Sequence, residues 1–225
     1  MTRKTLFITG ASSGIGAATA RAAAQAGWNV ALFARNPEKL SALAEEIGTD
    51  HALALPGDVT RQDDITAAID RAATHFQGID AVFANAGTGL STPGIEQGDP
   101  DEWRTMMEVN VMGVLWTIKA AHAALKASRG HLILTGSVAG KRHIPASVYG
   151  ASKWFVHGLA GNMSEAMRDW GGRCTVIAPG MVDTPFFDEP KPDKLQPEDV
   201  AASVVHALEQ PRRADLREIV LMPTD

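Results

Sequence analysis

The chain has 225 residues, 45% hydrophobic and 21% charged, with a formal net charge of −5. This is the make-up of a globular protein able to bury a large core without a disulfide or metal staple. The acidic balance and the lack of a Lys/Arg run exclude nucleic acid as the partner, because phosphates require clustered cations. The single cysteine, Cys174, rules out an intrachain disulfide or a multi-cysteine metal site and points to a reducing, cytoplasmic setting.

The charged start Met1-Thr2-Arg3-Lys4 leads into only Leu6-Phe7-Ile8 before Thr9-Gly10, too short an apolar stretch for a secretory leader. Nothing approaches the ~18 apolar residues that span a bilayer, so no membrane partner is expected. From there, short β-branched runs alternate with helical patterns. Strands are predicted near 4–9, 28–34, 51–55, 79–84, 130–136, 172–178 and 216–221. Helices are predicted near 14–26, 37–47, 61–75, 101–127, 148–170 and 197–209. Asn36-Pro37-Glu38, Asp99-Pro100-Asp101-Glu102 and Gln196-Pro197-Glu198-Asp199 read as helix starts, and Gly27 and Gly48 as helix ends. Strand–helix alternation of this kind gives a parallel sheet covered on both faces, a Rossmann-type doubly wound α/β fold of about seven strands. The pattern continues to the end, so residues 1–225 read as one domain. Segment 181–196, with Pro185, Pro190 and Pro192, is too proline-rich for a helix and long for a connection, and reads as a substrate lid.

Between the first strand and first helix lies Thr9-Gly10-Ala11-Ser12-Ser13-Gly14-Ile15-Gly16. Glycines here let the backbone turn tightly and approach a pyrophosphate at a helix N-terminus. The spacing is Gly-x3-Gly-x-Gly rather than the general Gly-x-Gly-x2-Gly. Further motifs follow in order: Asp58-Val59, Asn85-Ala86-Gly87, Asn110, Ser137, Tyr149-x3-Lys153 and Pro179-Gly180. Together they resemble the short-chain dehydrogenase/reductase family, in its short single-domain branch, and the resemblance covers nearly the whole chain.

That resemblance implies a nicotinamide cofactor. The second strand ends at Ala34 without the acid that would hold both ribose hydroxyls of NAD(H), and Arg35 follows. A guanidinium there can bind a 2′-phosphate, which favours NADP(H) over NAD(H). The alternative is a solvated loop arginine. Ser13 stands where some NADP-using relatives carry a basic residue. By resemblance, Gly10, Ser12, Ser13, Gly14, Ile15 and Gly16 line the pyrophosphate, and Asp58 and Val59 flank the adenine, unless Asp58 caps its own turn. Asn85, Ala86 and Gly87 support the adenosine ribose, and Pro179, Gly180, Val182 and Thr184 hold the nicotinamide carboxamide.

Tyr149 and Lys153 are four apart and share a helix face. Carbonyl reduction needs a proton donor at the oxygen, and alcohol oxidation needs a base. A phenol of pKa ~10 must fall by ~3 to act as a base at neutral pH, a cost of about 4 kcal/mol. An ammonium ~4 Å away, at an effective dielectric near 20, supplies roughly that much. Tyr149 is also the only tyrosine in the chain. By resemblance, Ser137 polarises the substrate oxygen, Lys153 also binds the nicotinamide ribose, and Asn110 holds a water that connects Lys153 to solvent. Asn110 could equally be a satisfied core amide. The 12-position interval from Ser137 to Tyr149 is one shorter than usual in the family, placing the deletion in the Lys141–Ser147 loop.

Substrate contacts fall on His143, Ile144, Pro145, Trp154 and the lid, an apolar mouth for a small carbonyl or alcohol. The seven histidines lack metal-ligand spacing, so no metal is expected. The helix at 148–170 has little polar face, which predicts a homodimer or homotetramer. The reading is an NADP(H)-dependent oxidoreductase. Its rivals are an idle cofactor-binding sensor and a lyase or epimerase that uses the cofactor transiently.

Overall fold

A computed structural model describes residues 3–92 and 94–224. Met1, Thr2, Pro93 and Asp225 lie outside the described residues, and with them part of the charged start and the outermost ends of the 1–225 domain reading. Seven strands form one parallel sheet: β1 Thr5–Thr9, β2 Asn29–Ala34, β3 Ala52–Pro56, β4 Ala81–Ala84, β5 His131–Thr135, β6 Arg173–Pro179 and β7 Glu218–Leu221. Their order is β3-β2-β1-β4-β5-β6-β7. The order reverses between β1 and β4, so a crevice opens at their carboxyl ends, where ligands of such sheets bind.

Among the described residues, seven α-helices cover the sheet: α1 Gly14–Gln25, α2 Pro37–Ile47, α3 Gln62–Phe76, α4 Pro100–Met107, α5 Gly113–Ser128, α6 Val148–Arg168 and α7 Pro197–Glu209. Successive strand residues point to opposite faces, and both faces are dry. Leu6, Ile8, Val30, Leu32, Phe83 and Ile133 share one core with α1, α2 and α7. Phe7, Phe33, Val82, Leu132, Leu134 and Val176 share the other with α3, α5 and α6. Burial on both sides is why the strands read as continuous apolar runs rather than alternating ones.

The helix starts follow the sequence signals. Asn36 accepts from Lys39 N at 2.7 Å, Asp99 accepts from Asp101 N at 2.8 Å, and Gln196 and Asp199 form a reciprocal capping box. One expectation needs correction: the single helix near 101–127 is two helices joined by a π-helical turn, Glu108–Met112. Apolar spacing runs through such a widened turn without a break, so periodicity does not reveal it. The shortened loop before α6 closes through Ala146 at φ 55°, a left-handed conformation that a Cβ disfavours.

His131, at the amino end of β5, is fully enclosed. The Thr175 hydroxyl donates to the Leu216 carbonyl and therefore accepts from His131 Nε2–H at 2.7 Å. Nδ1 is buried without a partner. Burial, reinforced by nearby Arg173, lowers the imidazole pKa to about 3. As pH falls below the ordinary histidine value of ~6.5, the unfolded chain takes up the proton and the folded one does not, so stability drops. About 2 kcal/mol is lost at this residue by pH 5. Urea titrations at pH 7 and pH 5 measure this loss, and His131→Leu shrinks the difference between them by about that amount.

Candidate active site

The carboxyl edge of the sheet is tied together by side chains. Thr9 Oγ1 accepts from Asn85 N and Ala86 N, each at 3.0 Å. Asn85 Nδ2 donates to Thr9 O at 3.1 Å, and Asn85 Oδ1 accepts from Thr135 Oγ1 at 3.1 Å. The amide of Asn85 thus joins the ends of β1, β4 and β5. Gly10, at φ 68°, packs so closely on Ala86 that a Cβ would lie 2.9 Å from its Cα. At Gly16 a Cβ would lie 2.2 Å from Gly10 O. Only glycine permits this turn.

α1 opens from the turn with its amide groups facing the crevice. Ser13 caps it by backbone geometry and makes no side-chain capping bond; Ser12 and Ile15 are half-buried beside it. Thr184 lies over Gly14, 3.1 Å from where a Cβ would stand. Arg35 is exposed where β2 ends. Asp58 does cap its own turn: Oδ1 accepts from Thr60 N at 2.9 Å and from Thr60 Oγ1 at 3.0 Å. Val59 is buried against Gly113. At the end of β6, Gly180 N donates to Leu221 O at 2.8 Å, and Val182 is buried next to it.

Tyr149 and Lys153 lie on the first turns of α6, whose start Ser147 caps by accepting from Gly150 N at 2.9 Å. Lys153 is buried, and its Nζ donates to Thr135 O at 3.0 Å. The same Nζ sits 5.8 Å from the centre of the Tyr149 ring. The Ser137 side chain lies close enough to the Tyr149 hydroxyl to favour its ionised form, and its Oγ accepts from Ala139 N at 3.1 Å. Asn110, in the π-helical turn, is a satisfied core amide: Oδ1 accepts from Thr88 N and Nδ2 donates to Thr88 O, both at 2.9 Å. Its Nδ2 also reaches Ser152 Oγ at 3.3 Å. Gly87 passes between this amide and Lys153 Nζ.

The electrostatic expectation needs correction. Burial dominates at Tyr149 and raises its pKa to about 12, against the downward pull of the Ser137 side chain. The ammonium sits over the ring and bonds the Thr135 carbonyl rather than the phenol oxygen. Burial also brings Lys153 down to about 8.

The proposed substrate residues separate. Trp154 stands five residues after Tyr149, about 140° round the helix. It lines a cavity of about 360 Å³ with Lys141, His157 and Glu218. His143 stacks on Trp154 at 5.4 Å, and Ile144 is exposed. Phe186 is the residue that packs on Tyr149, with ring centres 5.7 Å apart. It belongs to the 181–196 segment, which closes on itself through Asp183 N to Leu195 O at 2.7 Å and Leu195 N to Met181 O at 3.2 Å. The adjacent pair Phe186-Phe187 in a polar, proline-rich stretch was the sequence signal for it. Among the described residues no cluster could hold a metal ion, and no helix is long and apolar enough to cross a membrane.

Residues 4–195 match the family model for short chain dehydrogenases. An uncharacterised oxidoreductase of Staphylococcus aureus is 37% identical over 99% of this chain and 98% of its own. The structure of an alcohol dehydrogenase from the archaeon Thermococcus sibiricus, complexed with 5-hydroxy-NADP, superposes with a TM-score of 0.91 at 31% identity. That match covers 99% of this chain and 97% of the other. A metagenomic short-chain oxidoreductase in complex with NADP gives 0.86 at 30% identity, with the same coverage.

Because Tyr149 is the sole tyrosine, its ionisation is directly visible. Ultraviolet difference absorbance of tyrosinate, referenced to Tyr149→Phe, is expected to show no ionisation of the free folded protein at pH 10. The signal rises only near the about 12 of the buried phenol.

Proposed function

The chain belongs to the short-chain dehydrogenase family of oxidoreductases, and on that premise we propose that it uses NADP(H) to interconvert a small carbonyl compound and its secondary alcohol. The observation that carries this reading is the juxtaposition of the Ser137 side chain, the Tyr149 hydroxyl and the buried Lys153 ammonium, which lies over the Tyr149 ring at the carboxyl edge of the sheet. The residues fit a nicotinamide dinucleotide. α1 presents amide donors at its start, and the Ser13 hydroxyl makes no capping bond. Lys153 has three N–H donors, of which Thr135 O takes one. Anionic and hydroxyl oxygens are what such donors hold.

The cofactor, when bound, supplies or accepts the hydride. The protein's own task is the proton. Tyr149, protonated in its buried setting, hands a proton to the developing alkoxide in reduction and takes it back in oxidation. Ser137 donates to the same oxygen and fixes its position. Lys153 offsets negative charge at Tyr149 as the proton leaves and anchors the ribose. The Asn110 side chain, bonded to Thr88 and Ser152, fixes the loop beside Lys153, and the acceptor site left on its Oδ1 would hold the relay water that connects Lys153 to solvent. Phe186 closes the lid 181–196 over the ring and favours an apolar substrate.

Gly10, Gly14 and Gly16 with Ser12, Ser13 and Ile15 receive the pyrophosphate. Asp58, through the carboxylate oxygen that does not bond Thr60, and Val59 flank the adenine. Asn85, Ala86 and Gly87 border the adenosine ribose. Pro179, Gly180, Val182 and Thr184 border the nicotinamide, and Arg35 binds the 2′-phosphate. The whole chain, 1–225, acts as one domain. A homodimer or homotetramer would cover Trp154 and Phe155, both exposed on α6, and the lone buried Cys174 suits the cytoplasm.

A panel of aldehydes and ketones, followed by loss of NADPH absorbance, tests the reading. Tyr149→Phe is expected to lower kcat by about 10²–10⁴-fold while the cofactor still binds. No turnover by the natural sequence across the panel would leave the sensor, and product without net cofactor oxidation would leave the lyase or epimerase. Arg35→Ala is expected to weaken NADPH by about 10–100-fold, the worth of a charge-assisted hydrogen bond, and to leave NADH almost unchanged. Equal weakening of both, measured by fluorescence titration, rejects Arg35 as the phosphate site.

A further inference from the structure

Against the backbone of Ser137 stands an imidazole that the proposed reaction does not use. His157 lies two turns along α6 from Tyr149. Its Nε2 is 3.4 Å from Ser137 N and 3.1 Å from Ser137 O. Its Nδ1 is 3.1 Å from Glu218 Oε1, on β7. The other carboxylate oxygen of Glu218 pairs with Lys141, in the loop after β5. The two glycines around Ser137 make room for the ring. A Cβ at Gly136 would lie 2.7 Å from His157 Nε2, and one at Gly140 would lie 2.7 Å from its Cδ2.

We propose that His157, oriented by Glu218, is a positioning residue that holds the Ser137 turn and makes the alignment of the Ser137 hydroxyl depend on the protonation of one imidazole. The inference rests on the role given above to Ser137. Beside the Glu218 carboxylate, Nδ1 keeps its proton whether the ring is neutral or charged. Nε2 therefore carries the difference. Neutral, it offers a lone pair to the Ser137 amide. Protonated, it becomes a donor and turns to the Ser137 carbonyl.

The two states are not equivalent for the turn. Ser137 O already accepts from Gly140 N at 2.9 Å, so the carbonyl does not need His157. For Ser137 N, His157 Nε2 is the acceptor the structure provides. Protonation strands this amide in a buried setting, where an unpaired donor is costly, and the turn carrying the hydroxyl relaxes. Glu218 and the Ser137 carbonyl favour the charged ring, whereas burial and Lys141 oppose it. Burial is the largest effect, and it holds the ring below the ordinary histidine range. Arg217, just before β7, and Cys174, on β6, face the same cavity as the ring. That cavity gives solvent a route to the imidazole.

The test uses the full chain, NADPH and any carbonyl compound that the panel shows to be reduced. For the natural sequence, kcat is expected to fall on the acid side through one ionisation at or below pH ~6.5. His157→Gln keeps an acceptor for Ser137 N and does not titrate, so it should retain kcat at pH 7.5 within about threefold and lose the acid limb. His157→Phe keeps a ring without an acceptor and should lower kcat at least tenfold, with the NADPH dissociation constant within twofold as evidence of a folded site. Glu218→Gln should move the acid limb down by about one pH unit, the effect of losing a nearby opposite charge, and it serves where His157→Phe fails to fold. Retention of the acid limb by His157→Gln, an unshifted acid limb in Glu218→Gln, or full kcat in His157→Phe, overturns the proposal. Absence of turnover by the natural sequence is a different failure and tells against the oxidoreductase reading itself.

Discussion

The site depends on one side-chain amide. Asn85 joins three strand ends through its Nδ2 bond to Thr9 O, its Oδ1 bond from Thr135 and its backbone bond to Thr9 Oγ1. Strands of a parallel sheet hydrogen-bond evenly along their length, but their carboxyl ends splay where the chain order reverses. At that point the glycine turn leaves β1 and the carbonyl that holds Lys153 leaves β5. The distance between turn and ammonium is therefore set by Asn85 and the two threonines rather than by the loops that carry the reacting groups. A hydrophobic residue at 85 would leave the Thr9 carbonyl and the Thr135 hydroxyl without these partners at two strand ends at once, a cost of about 1–3 kcal/mol for each.

Close approach is the second constraint. Gly10 against Ala86, Gly16 against Gly10 O, and Gly136 and Gly140 against His157 are positions where the backbone comes nearer than a Cβ allows. The first two shape the floor of the crevice; the last two bring an imidazole under the Ser137 turn. Phe186 closes over Tyr149, where Gly89 makes room for its ring. Phe186 thus packs against Tyr149, and the His157 ring against the backbone of Ser137.

The sheet and helices were legible in the sequence because the inner strands are apolar on both faces and α2, α4 and α7 begin with residues that cap them. The Tyr149/Lys153 pair and the glycine turn were legible because their spacing follows from helix and turn geometry. The π-helical turn at Glu108–Met112 was not: it inserts no residue type of its own and leaves the apolar pattern intact. Trp154 was misplaced because five residues carry a side chain to another face of a helix, whatever its proximity in sequence. His157 was invisible for the complementary reason. Its partners, Ser137 and Glu218, come from 20 residues before and, on a different strand, far beyond, and only the folded sheet brings them together.

Lys153 was expected to prime the phenol for ionisation, but the ammonium lies over the ring and is itself pulled down by burial. Coulomb attraction falls with distance while desolvation acts on each group separately, so two buried groups without a direct hydrogen bond both move toward neutrality. A phenol raised to about 12 costs roughly 3 kcal/mol to ionise relative to water, which makes it a poor base in the empty crevice. In the proposed reaction, the same setting would keep the proton available as a donor to an alkoxide, whose own charge builds only as reduction proceeds. With burial opposing both charges at rest, the attraction between Lys153 and Tyr149 is greatest once the proton has left. It therefore contributes to the barrier of proton transfer more than to the resting state.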